Sequence, residues 1–274
     1  MNLIALQMTS GSSLSSNLAQ AEELLKQAQP HAGDLVLLPE NFAQYGGGDQ
    51  AYISIAEPLA NGPIQQWLAE QAKRYAIYLV AGSVPTQADD NARCYTSSLA
   101  FSPDGDLLQH YHKLHLFDVE VADNVGCYRE SDSFVAGQQL AWFDIDEIRV
   151  GMAICFDLRF PYLFQLLRQQ GCDIVLVPAA FTALTGEAHW QPLLQARAIE
   201  NQLYLIAANQ TGTHDNQRQT WGHSMIVDPW GRCLDLQASG IAPARAEFNP
   251  QLLKQVRDRM PVPLHGQLHL GWRE

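Results

Sequence analysis

The stretch Arg149-Val150-Gly151-Met152-Ala153-Ile154-Cys155-Phe156-Asp157-Leu158-Arg159-Phe160-Pro161 changes character halfway along. Val150, Met152, Ala153 and Ile154 form a nearly continuous apolar run, the pattern of a strand covered on both faces. Beyond the cysteine come two charged residues, Asp157 and Arg159, then Pro161, and then Leu163, Leu166 and Leu167 at helical spacing within Tyr162 to Gln170. Proline in a first helical turn sacrifices no hydrogen bond, because that amide has no intrahelical partner. The stretch therefore reads as strand, sharp turn and helix, with Cys155 at the C-terminal end of the strand. In α/β sheets ligands gather at that end. A thiol there faces a pocket, and backbone N–H groups of the turn, that of Phe156 among them, are free to meet a developing negative oxygen. The alternative is a structural cysteine in the core, the usual fate of the residue. A base and a cation at similar strand ends elsewhere would decide between them.

Outward from this stretch the same alternation repeats. Leu3 to Met8 reads as a first strand and Asn17 to Gln29 as a helix with Leu18, Ala21, Leu24, Leu25 and Ala28 on one face. Asp34 to Glu40 is a buried strand ending in a carboxylate, and the loop Asn41 to Gln50 holds Gly46-Gly47-Gly48, a segment suited to rim a pocket. Its spacing is not that of a phosphate-binding loop. Ile64 to Arg74 is helical, Ile77 to Ser83 a strand, and Arg93 to Phe101 with Leu107 to His112 a hairpin around Pro103-Asp104-Gly105. Asp118 to Gln138 has weak periodicity and reads as a loop. Strands at Leu140 to Asp144 and Glu147 to Ile154 follow, then the helix from Pro161 to a Gly171 cap, a strand at Asp173 to Pro178, a helix at His189 to Asn201 and a strand at Leu203 to Asn209. Trp221 to Asp228 and Arg232 to Leu236 form a second hairpin, Ala244 to Phe248 a last strand, and Gln251 to Arg259 a last helix. The order is that of an α/β chain with two similar halves. No low-complexity linker parts them, so a single domain over residues 1–274 is expected, with 260–274 as an extended C-terminal tail.

Composition narrows the function. The chain has 274 residues, 47% hydrophobic and 17% charged, enough for a large core. A net charge of -12 argues against a nucleic-acid partner and offers no polybasic membrane signal. The five cysteines, at 94, 127, 155, 172 and 233, are scattered and odd in number, which suits a reducing cytoplasm better than a disulfide framework. The N-terminus lacks the basic region and apolar run of a signal peptide, and no apolar run reaches membrane-span length.

Two further residues sit where Cys155 requires them. Glu40 ends the Val36-Leu37-Leu38-Pro39 strand, and Lys113 follows the hairpin strand in His110-Tyr111-His112-Lys113-Leu114-His115. Taken singly, each has an ordinary reading: a strand-end acid reaching solvent and a surface lysine. Together they fill the roles a thiol nucleophile needs. Glu40 can take the thiol proton and return it to a leaving amine, while Lys113 can favour the thiolate and hold an oxyanion. The three histidines invite a metal site, but no carboxylate pattern accompanies them, and no metal is expected.

Leu38-Pro39-Glu40-Asn41, His112 to Asp118 and Ile154 to Pro161 resemble, in order and across the whole chain, the three motif blocks of the nitrilase (carbon–nitrogen hydrolase) superfamily. The resemblance implies a four-layer α-β-β-α sandwich, a Cys-Glu-Lys triad of Cys155, Glu40 and Lys113, a thioester intermediate, and no metal or organic cofactor. It also implies a second glutamate that holds the lysine, here Glu130 in Tyr128-Arg129-Glu130-Ser131, which composition alone reads as a loop acid. Phe181 to Trp190, Arg197 to Asn201 and Gly222 to Gly231 are most similar to the amidase branch and add Phe181 and Thr182 to Phe156 and Arg159 as candidate substrate contacts. The implied reaction is hydrolysis of a small-molecule linear amide: deaminated glutathione first, 2-oxoglutaramate or another short dicarboxylate monoamide as the alternative. A non-catalytic binding protein on the same scaffold is the reading from another class, and the intact triad argues against it. Ala122 to Cys127 departs from the Pro/Gly-rich loop common in the family, which bears on pocket shape. A homodimer or higher homo-oligomer is the expected assembly, with a two-fold dimer as the default symmetry, through the apolar Tyr162-Leu163-Phe164 and the tail Leu264 to Trp272. Both keto-acid amides carry a carboxylate, and Arg159, four residues past Cys155, is placed to bind it. The competing role for Arg159 is to brace the turn by pairing with Asp157 or Glu130.

Overall fold

A computed structural model describes residues 1–89, 92–123 and 125–262, with Asp49 as backbone only. In chain order the first half contains β1 (Asn2–Leu6), α1 (Leu14–Ala28), β2 (Leu35–Leu37), α2 (Asp49–Ser54), α3 (Pro63–Tyr75), β3 (Tyr78–Gln87), β4 (Cys94–Phe101) and β5 (Leu107–His112). A short ribbon of β6 (Asp118–Glu120) and β7 (Cys127–Arg129) leads to β8 (Trp142–Ile145), β9 (Ile148–Met152), α4 (Pro161–Gln169), β10 (Ile174–Leu176), α5 (Ala183–Asn201) and β11 (Tyr204–Ala207). A second ribbon, β12 (Thr211–Thr213) with β13 (Gln219–Trp221), precedes β14 (Ser224–Val227), β15 (Cys233–Gln237), β16 (Pro243–Glu247) and α6 (Pro250–Arg259).

Two six-stranded sheets result, ordered β16-β1-β2-β3-β4-β5 and β15-β14-β11-β10-β9-β8. Strand alternation builds the layers. Leu3, Ala5, Leu35 and Leu37 join the core shared with Met152, Ile226 and the rest of the second sheet. Their neighbours Ile4, Leu6, Val36 and Leu38 point the other way, onto Ala21, Leu24 and Leu25 of α1 and Ile64, Leu68 and Ala72 of α3. On the far side Leu163, Phe164 and Leu167 of α4 and Trp190, Leu194 and Ala198 of α5 cover the second sheet. This is the expected α-β-β-α sandwich, with the central strands of each sheet buried on both faces and residues of the edge strands β5 and β15 exposed.

The differences from the sequence reading are local. Helix α1 starts at Leu14 rather than Asn17, because Ser13 caps it by accepting from the Ser16 N–H. Helix α5 starts at Ala183 rather than His189, capped by Thr182. The Asp118 to Gln138 segment is not bare loop: it carries the β6–β7 ribbon and a 3-10 turn at Glu130–Asp132. Leu163 and Phe164 are fully buried within the subunit, so of the apolar segment expected at a dimer contact only Tyr162 is exposed. The tail Leu264 to Trp272 lies outside the described residues.

One backbone approach places the end of β2. The pairing of β3 with β4 is irregular between Ala81 and Val84, a bulge that sets Gly82 beside the chain leaving β2. A Cβ at Gly82 would lie 2.2 Å from the Leu38 carbonyl oxygen and from the Pro39 carbonyl carbon. Gly137 does the same for the end of β5, where a Cβ would meet the His112 carbonyl oxygen at 2.2 Å. Both obstacles are backbone, which cannot rotate aside. Gly82→Ala is therefore expected to cost about 1–3 kcal/mol of stability, read as a lower midpoint of chemical denaturation. An unchanged midpoint would show that the close approach is dispensable.

Candidate active site

Each chemically distinctive residue sits just past the C-terminal end of a strand: Glu40 after β2, Lys113 after β5 and Cys155 after β9. The first two come from one sheet and the third from the other, so only the packing of the sheets unites them. Local chemistry fits each position. Asn41, beside Glu40, adopts φ +57°, a left-handed value asparagine tolerates, and its N–H donates to Ser83 Oγ at 2.8 Å. Lys113 donates its N–H to the Thr96 carbonyl, and its own carbonyl accepts from Gly137.

Cys155 is the strained member. Its φ of +47° is rare for a side-chain-bearing residue and costs roughly 1–3 kcal/mol. The turn is held by Asp157, which is fully buried and accepts from the Ile154 N–H at 2.8 Å, Tyr111 Oη at 2.7 Å and the His115 N–H at 3.1 Å. His115 Nδ1 lies 2.6 Å from the same carboxylate, and its ring stacks on Phe160 at 3.6 Å. The Cys155 N–H donates to the Pro178 carbonyl at 2.8 Å, whereas that of Phe156 has no acceptor among the described residues.

Lys113, 1% exposed, donates through Nζ to Glu40 Oε1 at 2.8 Å and to both oxygens of Glu130 at 2.8 Å. Glu40 Oε2 accepts from the Ala180 N–H at 2.8 Å, and Glu130 Oε2 from the Phe117 N–H at 2.6 Å. Burial favours a neutral lysine, but the charges of Glu130 and Glu40 outweigh it and hold the ammonium well above the ordinary lysine range. Burial, tempered by Lys113, leaves the Glu130 carboxyl raised. The Cys155 thiol is pushed well up by burial and then by the charge of Glu40, with Lys113 pulling less strongly the other way. Lys113 thus favours the thiolate as expected but does not prevail in the resting site: the thiol keeps its proton beside a carboxylate placed to take it.

These residues line a cavity of about 390 Å³, within the small-molecule range. All eight residues singled out from the sequence reach it: Glu40, Lys113, Glu130, Cys155, Phe156, Arg159, Phe181 and Thr182. Gly46, Gly47 and Gly48 form part of its rim. Arg159 pairs with neither Asp157 nor Glu130. Its guanidinium lies 3.2 Å from His189 Nδ1 and 5.1 Å from the centre of the Phe181 ring. The departing loop at Ala122 to Cys127 closes on Asp123, whose carboxylate accepts from Val125, Gly126 and Tyr128. The histidines are committed elsewhere: His112 Nδ1 lies 2.7 Å from Ser97 Oγ and its ring stacks on Tyr95, while His115 belongs to the Asp157 cluster. Sequence reading missed Asp157 as the clamp of the turn, the Ala180 N–H as a partner of Glu40, and Arg218 in the cavity wall. Asp157 stands inside the Ile154 to Pro161 motif block, but sequence reading gives it only as a partner for Arg159, and Arg218 is a polar turn residue with no periodic or motif signal to single it out.

Comparison with known proteins places the chain in a family. The carbon-nitrogen hydrolase family profile matches residues 3–252. Deaminated glutathione amidase of Yersinia enterocolitica is 43% identical over 267 residues, covering 97% of this chain and 93% of its own. Omega-amidase NIT2 of Danio rerio is 36% identical over 247 residues, covering 90% of this chain and 87% of its own. The crystal structure of the C. elegans NitFhit protein superposes with a TM-score of 0.88 at 34% identity, covering 97% of this chain, which spans 65% of that longer one.

The electrostatics give a signed expectation for the thiol. A thiol raised by burial and by a neighbouring anion ionises above the usual thiol range, and removing the anion lowers its pKa. The pH profile of Cys155 alkylation by iodoacetamide should therefore inflect above that range in the unmodified protein and move to lower pH in Glu40→Gln. An inflection that stays put or rises would contradict the assignment of Glu40 as the charge beside the thiol.

Proposed function

The chain belongs to the carbon–nitrogen hydrolase family, as an amidase, and we propose that it hydrolyses deaminated glutathione to 2-oxoglutarate and cysteinylglycine through a thioester on Cys155. The observation that carries the reading is the convergence of Glu40, Lys113 and Cys155 from two sheets on one cavity, with Lys113 Nζ 2.8 Å from Glu40. The 43% identity to a deaminated glutathione amidase supports the choice of substrate.

In this mechanism Sγ of Cys155 attacks the amide carbon as its proton passes to Glu40. The carbonyl oxygen becomes an oxyanion held by Lys113 Nζ and the Phe156 N–H. One Lys113 N–H can serve both oxygens of Glu130 and a second serves Glu40, which leaves the third for the oxyanion. Collapse of the tetrahedral intermediate breaks the C–N bond, and Glu40 gives its proton to the departing amine. Glu40 then takes a proton from water as the water attacks the thioester. The acid departs and the thiol is restored with that proton. Glu130 keeps Lys113 charged and oriented. Arg159 pairs with the α-keto carboxylate, and Phe181 and Thr182 shape the acyl end of the cavity.

The related ω-amidase reading differs in the leaving group, ammonia rather than a peptide amine. We place the protein in the cytoplasm, because all five cysteines are free and, among the described residues, no helix is long and apolar enough to cross a membrane. We also propose a homodimer. Sedimentation velocity at micromolar concentration should give the dimer mass, and a monomer would refute that assembly.

The substrate reading is tested by amine release from a panel holding deaminated glutathione, 2-oxoglutaramate and short monoamides. Deaminated glutathione should exceed 2-oxoglutaramate in kcat/KM by about tenfold. Cys155→Ala should release nothing, and Glu40→Gln should lose on the order of 10²–10⁴ in rate. Preference for 2-oxoglutaramate would move the assignment to ω-amidase, and turnover by Cys155→Ala would remove the thiol from the chemistry.

A further inference from the structure

Arg218 lines the same cavity as Cys155 but comes from the β12–β13 hairpin rather than from a main sheet. Its guanidinium lies 5.1 Å from the centre of the Tyr128 ring and makes no ion pair or side-chain hydrogen bond among the described residues. Burial works to raise the Asp123 carboxyl, but its oxygens are taken by the Val125 and Gly126 N–H groups and by Tyr128 Oη, and these bonds, helped by the charge of Arg218, hold it below its usual range. Asp123 and Arg218 form no ion pair among the described residues. The hairpin that carries Arg218 is firmly anchored. His214, 3% exposed, has Nδ1 2.7 Å from the Ser10 carbonyl and Nε2 2.7 Å from Thr220 Oγ1, and its N–H donates to the Arg218 carbonyl at 2.9 Å. A carbonyl can only accept, so Nδ1 carries the proton, and burial, which holds the ring below the usual histidine value, favours the neutral form in which Nε2 accepts from the threonine.

A row of cavity-lining rings connects Arg218 with Arg159. Arg159 lies 6.0 Å from the centre of the Phe156 ring. Phe156 and Phe117 are 5.1 Å apart, and Phe117 and Tyr128 are 5.1 Å apart. Among the described residues neither guanidinium is paired with a carboxylate, and three rings in successive contact join the two along the cavity wall. Such a wall suits an elongated molecule with an anion at each end and an uncharged middle. In a chain of net charge -12, two arginines in one cavity with no carboxylate partner among the described residues run against the general bias.

We propose that Arg218 is a specificity-determining residue that binds an anionic group, a carboxylate, on the amine side of the scissile amide, so that the enzyme selects amides charged at both ends. The inference rests on the amidase reading above and refines it. Arg159 holds the carboxylate of the acyl half, the reacting carbonyl lies over Cys155, and the leaving amine extends along Phe117 and Tyr128 toward Arg218. A primary amide, whose leaving group is ammonia, has nothing to offer Arg218.

The test uses three amides with the same 2-oxoglutarate acyl half: the primary amide, the cysteinylglycine amide with its terminal carboxylate free, and the same amide with that carboxylate converted to carboxamide. In the unmodified enzyme the free carboxylate should lower KM relative to the carboxamide. In Arg218→Gln the KM for the carboxylate substrate should rise about tenfold or more, as for loss of a charge-assisted hydrogen bond, and the preference over the carboxamide should disappear. Arg218→Lys should restore part of it. Arg159→Lys should instead raise KM for all three substrates together. If Arg218→Gln leaves the carboxylate-to-carboxamide ratio unchanged, or slows all three alike, the subsite is refuted while the amidase reading stands. If the unmodified enzyme turns over none of the three, the substrate reading itself falls.

Discussion

An ammonium 1% exposed, fixed between two carboxylates at 2.8 Å, is the constraint on which the site depends. Taking any one of these charges out of water costs several kcal/mol, and the cost is offset only when all three are present in good geometry. Glu40 leaves the end of β2, Lys113 the end of β5, and Glu130 the turn after β7. A shift in any of these segments strands a buried charge, so the electrostatics of one side chain enforce the positions of three pieces of backbone. The glycine approaches at Gly82 and Gly137 serve the same end sterically, each leaving room for backbone next to Glu40 or Lys113. Carboxylate hydrogen bonds to the Ala180 and Phe117 N–H groups complete the arrangement.

Cys155 is held by a different device. Its left-handed backbone is unfavourable in isolation and persists because the residues around it are overdetermined. Asp157 ties the turn to Tyr111 and His115 from the opposite sheet, and the Pro178 carbonyl takes the Cys155 N–H. The strain turns the thiol out of the core toward the cavity while the Phe156 N–H has no acceptor among the described residues. The resulting thiol is neutral at rest, raised by burial and by Glu40. Its reactivity therefore depends on proton removal during attack rather than on a stored thiolate. That suits an amide substrate, since the proton Glu40 takes is the one the poor amine leaving group needs.

Charge in the cavity runs opposite to charge on the whole chain. The protein is strongly acidic, yet the cavity wall carries the guanidiniums of Arg159 and Arg218, without carboxylate partners among the described residues, together with aromatic rings. Acidic side chains elsewhere favour solubility and repel anions in general, while the arginines attract them at one place. The aromatic wall contributes low polarity between the charged ends, where an uncharged amide sits.

Much of this was written locally in the chain. Val150 to Ile154 as a buried strand, Pro161 opening a helix and the hairpins at Pro103-Asp104-Gly105 and Pro229-Trp230-Gly231 depend on near neighbours alone, and period and turn chemistry reveal them. The residue types of the triad were legible as well, because an acid and a cysteine each stood at the end of an apolar run, a lysine followed a hairpin strand, and all three matched ordered family motifs. The exceptions were short or capped elements, such as the first turn of α1 under Ser13 and the β6–β7 ribbon, where a single side-chain hydrogen bond or a three-residue pairing leaves no periodic trace. What only the tertiary structure decided is convergence. That Glu40 and Lys113 from one sheet meet Cys155 from the other, that Asp157 clamps the turn rather than pairing with Arg159, and that Arg218 from a distant hairpin enters the same cavity all follow from long-range packing of two sheets, which no pattern of adjacent residues encodes.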